Sequence, residues 1–261
     1  ERLVPKKAYI QAFATDNVHG SKDYIESLKN EPDPVRRQRL WLGSWDYDKE
    51  KDLLINEDAL SDAFTNTVDE SNDKFLIVDV ARQGKDSTVF SFWKGLQLYK
   101  IEQKFQQSTV TTEQNVTEYA KSDRIPFSNI LIDEDGIGGG VVDHLLGVKG
   151  FTANSSPIPT LSQIIERGAN VEHFLVPKTT FSNLKSQCAW KLAELINQHQ
   201  ISFQTPRYQD KITEELVAQL RNKNIDSDSK KQLRPKDEVK EEIQRSPDIG
   251  DTIIMRMWLE L

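Results

Sequence analysis

The sequence is poor in cysteine, with Cys188 the one thiol in 261 residues. A lone thiol excludes an internal disulfide framework and a thiolate zinc site, and it is the usage expected of a reducing compartment. No apolar run approaches the roughly 18–20 residues of a membrane span, and no stretch resembles a signal peptide. Positive charge is also short: 34 Lys and Arg stand against 41 Asp and Glu, a net charge of −7. Bulk charge therefore does not hold this chain to nucleic acid. If it handles DNA or RNA, it must use a local basic surface or bound metal ions. The four histidines, His19, His144, His173 and His199, are scattered, with none paired at metal-ligand spacing, and no Ser-His-Asp arrangement can be picked out. Gly84-Lys85-Asp86-Ser87 falls short of a phosphate loop, because Asp79 stands where the pattern needs its first glycine. The glycines at 136, 138, 139 and 140 fail the dinucleotide fingerprint, which needs glycine where Val141 stands. There is no internal repeat and no low-complexity tract.

What is present falls into two parts. Residues 1–70 are irregular, with a helix predicted over 22–30, a break at Glu31-Pro32-Asp33-Pro34 and a second helix over 35–42. Trp41, Leu42 and Trp45 supply an apolar anchor, so this part reads as a connector draped over a neighbour. The first residue is Glu1, and the chain is expected to be a piece of a longer protein. Residues 71–261 carry the core. Phe75 to Val80 is a continuous apolar run, as in a strand buried on both faces. Strands at Thr88–Trp93 and Leu96–Gln103 follow after short turns, and together the three predict an antiparallel meander. A helix over 109–122, a buried strand over 129–133, a short helix over 141–146 and a strand over 148–153 come next. The clearest helix is 181–199, where Leu184, Cys188, Leu192, Leu195 and Ile196 form one apolar face. A strand at 201–203, helices over 210–221 and 237–244, a strand at 231–234 and a last helix capped by Ser246-Pro247 complete the prediction.

Some acids are out of place in this pattern. Asp79 lies in a buried run, Asp133 ends another and Asp135 follows it; burying a carboxylate without a partner is costly. Asp248 and Asp251 share one face of the first turns of the last helix. Two readings stand. Converging carboxylates repel unless a cation lies between them, and hard divalent ions take carboxylate and phosphate oxygens together. Alternatively, Asp133 and Asp135 are strand-end turn residues, and Asp248 and Asp251 favour a helix N-terminus through its dipole.

Four stretches, in order along the chain, resemble the nuclease portion of the large terminase subunit of tailed-phage DNA-packaging motors. FLIVDVARQGKDST from Phe75 to Thr88 is similar to that family's first strand, acid and turn. ILIDEDGIGGGVVDHL from Ile130 to Leu145 is similar to its strand-acid-glycine-helix segment. RPKDEVKEEIQRSPDIGDTIIM from Arg234 to Met255 resembles its ending, and Asp23 to Asp46, with RLWLGSWD, the connector from the packaging ATPase. The resemblance implies an α/β, RNase H-like fold: a mixed central sheet containing the three-strand meander, with helices on both faces. It implies a connector over 1–70 that ends a missing ATPase domain, and a nuclease domain over 71–261. It further implies an endonuclease that cuts concatemeric double-stranded DNA during viral genome packaging, by two-metal phosphodiester hydrolysis with Mg²⁺ or Mn²⁺. Asp79 and Asp133 then take the first two metal positions. Asp251 fits the third best with Asp248 the near alternative, and Asp135 is either a supporting ligand or a turn residue. Thr252 departs from the small residue usual after the last acid. The portal protein, the small terminase subunit and the ATPase domain of the same chain are the implied partners, no membrane is involved, and the place of action is the host bacterial cytoplasm.

DNA contacts are expected at Lys85 in the first turn and at Lys230, Lys231 and Arg234 beside the polar loop 222–229, although a solvated loop and helix is the favoured reading of that stretch. A junction resolvase of the same fold and a packaging scaffold without activity remain as other readings. A phosphotransfer ATPase is disfavoured by the missing phosphate loop.

Overall fold

A computed structural model describes residues 13–17, 20–30, 37, 40–43, 52–69, 71–81, 86–159, 180–224 and 230–261. The chain divides into two compact units, 1–53 and 54–261. In the first, helix α1 (Lys22–Lys29) starts where predicted, with the Ser21 hydroxyl accepting the Tyr24 N–H at 3.2 Å. The Ala14 N–H donates to the Trp41 carbonyl at 3.1 Å. The helix expected over 35–42 lies largely outside the described residues, as does Trp45.

The second unit begins earlier than the sequence pattern suggested. Helix α2 (Glu57–Asp62), capped by Asn56, buries Ala59 and Leu60, and the Leu54 N–H donates to the Leu220 carbonyl at 2.8 Å. Residues 54–69 thus belong with the core because their short apolar face has a partner there, although no long strand announces it.

The core is a six-stranded sheet. Strand β1 (Lys74–Asp79), β2 (Ser87–Lys94) and β3 (Gln97–Phe105) form the antiparallel meander. After helix α3 (Thr109–Asp123), strand β4 (Ile130–Asp133) returns parallel to β1, helix α4 (Gly138–His144) crosses, and β5 (Lys149–Phe151) lies parallel to β4. Helix α5 (Leu184–Asn197) leads to β6 (Ser202–Phe203), which pairs parallel with β3. The order across the sheet is β5-β4-β1-β2-β3-β6. Helices α6 (Gln209–Gln219), α7 (Lys236–Ile243) and α8 (Asp248–Arg256) follow, and a 3₁₀ turn, Met257–Glu260, closes the chain. Residues 231–234 form bridges, Phe181 with Lys231 and Asn222 with Leu233, in place of the expected strand. No helix among the described residues is long and apolar enough to cross a membrane.

Strand alternation decides what faces what. Leu76 and Val78 of β1, Val80 just beyond its end, and Ile130 and Ile132 of β4 turn to one face, where Val116, Tyr119 and Ala120 of α3 and Val141 of α4 cover them. Residues one step out of phase, Ile77 and Asp79 of β1 and Leu131 and Asp133 of β4, turn to the other. Helix α8 packs on that face against β1 and β2 and is itself covered by α5 and α6. Every residue of α8 from Asp248 to Arg256 is buried, as befits a helix surrounded on all sides. Its far end is pinned by Arg256, whose guanidinium donates to the Gly95 carbonyl at 2.8 Å and lies 4.1 Å over the Phe75 ring.

Candidate metal centre

Parallel pairing of β1 with β4 matches Val78 with Ile132, so Asp79 and Asp133 stand one step further on at the same end of neighbouring strands and on the same face. Helix α8 brings its first turn to this end. Asp79, Asp248 and Asp251 are 9%, 7% and 5% exposed, and Asp133 is half-buried. The tight strand-to-helix passage beside them rests on Gly138, where a Cβ would overlap the Asp133 carbonyl oxygen.

The carboxyl groups are close enough to perturb one another. Burial, then the charge of Asp251 and the charges of Asp133 and Asp248, push Asp79 well above the ordinary carboxylate range; Lys236 works the other way. Burial, with the charges of Asp135 and Asp251, pushes Asp133 up to about 6, against the Asp135 N–H bond and Lys236. Burial would push Asp251 up as well, but two ammonium groups overcome it: Lys185 lies 2.7 Å from Oδ1 and Lys236 2.6 Å from Oδ2, and together they hold the acid below the usual range. Gln219 also donates to Asp251 Oδ1. Asp248 turns away: its Oδ2 accepts the Ser87 N–H at 3.2 Å and the Ser87 hydroxyl at 3.0 Å. Asp135 is exposed. Its N–H donates to Asp133 Oδ1 at 3.1 Å and its carboxylate accepts the Ala153 N–H at 2.9 Å, the bonding of a turn residue.

Asp133, Asp135, Asp251, Lys185, Lys236 and Gln219 line one cleft of about 410 Å³, with Arg234 at its edge. Arg234 is engaged by Glu242 at 2.5 Å and Glu238 at 3.7 Å. Lys230 and Lys231 are exposed, and Lys231 lies 5.6 Å from the Phe181 ring centroid and 5.8 Å from that of Trp190. Lys85, His19, His173 and residues 225–229 lie outside the described residues. His144 sits on the surface 2.9 Å from Glu113, and Cys188 is fully buried on the core face of α5.

The donor set suits a hard divalent cation: it is all carboxylate oxygen, and three acids converge while both nearby ammonium groups serve one of them. Among the described residues, no group of three or more acidic, histidine or cysteine side chains is arranged to hold an ion as it stands. Both Asp251 oxygens are held instead by Lys185 and Lys236.

Four residues of the centre had no motif to announce them: Lys185, Glu215, Gln219 and, as an acid partner, Lys236. Glu215 is 1% exposed, accepts the Gly250 N–H at 2.7 Å and pairs with Arg245; burial, with that N–H and Arg245 acting against it, pushes its carboxyl up to about 7. This bond also corrects the expected start of α8. The helix begins at Asp248 with Pro247 at the cap position and no side-chain cap bond; its third N–H, that of Gly250, donates instead to Glu215.

Comparison with protein-family models finds no match, and neither does comparison with curated proteins. Solved structures do match. The nuclease domain of the large terminase subunit gp2 of bacterial virus Sf6 superposes with a TM-score of 0.62 at 19% identity, covering 78% of this chain and 98% of that one. A lysine-to-alanine variant of that domain, solved with manganese and beta-thujaplicinol, gives 0.60 at 18% identity, and the variant solved with calcium gives 0.60 at 18%, each with the same coverage. The chain therefore has the RNase H-like fold of terminase nuclease domains.

Proposed function

We propose that this chain is a metal-dependent endonuclease domain that cleaves concatemeric double-stranded DNA during viral genome packaging. The observation that carries the reading is the convergence of Asp79, Asp133 and Asp251 from two adjacent parallel strands and a buried helix, with more negative charge than the neighbouring lysines balance. Asp79, Asp133 and Asp251 would hold two Mg²⁺ or Mn²⁺ ions, with Asp248 or Asp135 assisting. Bound there, the cations supply the positive charge that phosphodiester hydrolysis needs at the attacking and leaving oxygens.

The chain's own residues prepare that site. Strands β1 and β4 fix two carboxylates side by side, and α8 fixes the third. Lys185 and Gln219 hold one oxygen of Asp251. Lys236, 42% exposed along its side chain, is the ammonium best able to leave the other. Exposed Lys230 and Lys231 would contact phosphates, fixing the duplex without reading its sequence. Lys85 is proposed for the same role. An ATPase domain linked in one chain, the portal protein and the small terminase subunit are the proposed partners, and the host bacterial cytoplasm the proposed place. Residues 1–70 are proposed to include the connector, and 71–261 to contain all the acids of the site.

A second reading, a packaging scaffold without activity, is favoured by the ammonium groups on both oxygens of Asp251. Nicking of supercoiled plasmid with Mn²⁺, with Mg²⁺ and with chelator separates the two. Metal-dependent nicking lost in Asp79→Asn supports the nuclease, and equal behaviour of the two proteins under all three conditions supports the scaffold.

A further inference from the structure

Helix α6 reaches the candidate centre from the side. Glu215 and Gln219 stand four residues apart on one face of it and are 1% and 4% exposed. Glu215 grips the first turn of α8 through the Gly250 N–H. Gln219 donates through Nε2 to Asp251 Oδ1, while its Oε1, fully buried, finds no donor among the described residues. A Cβ on Gly250 would overlap that Oε1 and lie 3.2 Å from Glu215 Cβ. The absence of a side chain at 250 is thus what lets the amide lie flat against α8. A buried acceptor without a donor works against folding, and the amide is kept in this position with its other end on a carboxylate, a charge-assisted bond.

We infer that Gln219 is a positioning residue for Asp251 and that Gly250 is required for it to act. Together with Lys185, Gln219 holds Oδ1 on the α6 side. Oδ2, held among the described residues by Lys236 alone, is then the oxygen presented to the cleft. The two ammonium groups of Lys185 and Lys236 alone would leave the carboxylate plane free to swing, because each is a point charge on a flexible stem. The planar amide, wedged between α6 and the backbone of α8, fixes that plane. This rests on the metal-centre reading for its consequence, but not for its geometry.

The test uses Gln219→Met, which removes both polar atoms and keeps the length, with Gly250→Ala and the double variant Gln219→Ala/Gly250→Ala. Mn²⁺ affinity is read by electron paramagnetic resonance, beside wild type and Asp79→Asn, and metal-free crystal structures give the orientation of Asp251. Gln219→Met is expected to bind Mn²⁺ about ten-fold more weakly, with an unlowered thermal midpoint and a rotated Asp251 carboxylate. Adding the Gly250→Ala change is expected to weaken Mn²⁺ binding far less once Gln219 is truncated than in its presence. Wild-type Mn²⁺ affinity in Gln219→Met, with Asp251 unmoved, overturns the inference. If no protein, wild type included, binds Mn²⁺, the metal reading falls on its own; an Asp251 rotated in Gln219→Met then still upholds the positioning role, and an unrotated one overturns it.

Discussion

Asp133→Asn should stabilise the metal-free protein at pH 8 while destroying its response to metal. The Asp133 carboxyl is pushed from its ordinary value of 3.8 up to about 6. The folded state therefore holds this proton more tightly than the unfolded chain does. Stability from this group is fully present below about pH 4 and is lost as pH rises through about 6. A shift of roughly two units at about 1.4 kcal/mol each amounts to about 3 kcal/mol. Discounted for a half-buried group partly screened by solvent, about 2 kcal/mol is the working figure. Asn keeps the oxygen that accepts the Asp135 N–H and removes the charge. At pH 8 in chelator, the variant should melt about 4–8 °C above wild type, taking ~2–4 °C per kcal/mol for a domain of this size. At pH 4 the two should coincide. With millimolar Mn²⁺ at pH 8, wild type should rise and the variant should not. Scanning fluorimetry at the two pH values decides it. A variant less stable than wild type at pH 8 in chelator, or the same difference at both pH values, refutes the claim that burial and the neighbouring acids raise the Asp133 carboxyl in the metal-free state.

Three further outcomes are expected. Gly138→Ala places a Cβ on the Asp133 carbonyl oxygen and should cost about 1–3 kcal/mol in chemical denaturation; a loss under a few tenths would show that the strand-to-helix passage can relax. Cys188 is fully buried and its thiol is pushed up to about 12 by that burial, so an aromatic disulfide reagent at pH 8 should label it at the rate of unfolding, and labelling within the mixing time of native protein would contradict the packing of α5. Reversing Lys230 and Lys231 to Glu should weaken DNA binding at every salt concentration and reduce the slope of log affinity against log salt by about 2; unchanged binding across salt removes these residues from the DNA path.

Much of the fold was legible in the sequence because its elements announce themselves locally. The run from Phe75 to Val80, the two short turns after it and the apolar stripe of α5 fix the meander and one covering helix, and Asp79 was conspicuous as a charge inside a buried run. The pairing that makes it matter was implied only by the resemblance and not by any local pattern. Nothing in the sequence states that β4 returns beside β1 so that Asp133 lies next to it. The lysines and amide on Asp251 were hidden more deeply: Lys185 meets it across 66 residues, Gln219 across 32 and Lys236 across 15. No local pattern singles out Lys185 or Lys236 as a partner for an acid. One local signal existed. In α6, Glu215 and Gln219 fall on the same face as the buried Ile212 and Leu216, so polar groups interrupt an apolar stripe, as expected where a helix serves a polar centre. The start of α8 misled for a related reason: Ser246-Pro247 has the composition of a cap, but the helix starts one residue later, where Pro247 has no side chain to cap with and Glu215 of another helix takes the Gly250 N–H.

Asp79, Asp133 and Asp251 are proposed to hold divalent cations between them, and an anomalous difference map from Mn²⁺-soaked crystals would locate those ions. Strong peaks bounded by these three carboxylates are expected, with Lys236 withdrawn from Asp251. A map without a peak there at saturating Mn²⁺, with Lys185 and Lys236 still on the Asp251 oxygens, would contradict the proposal.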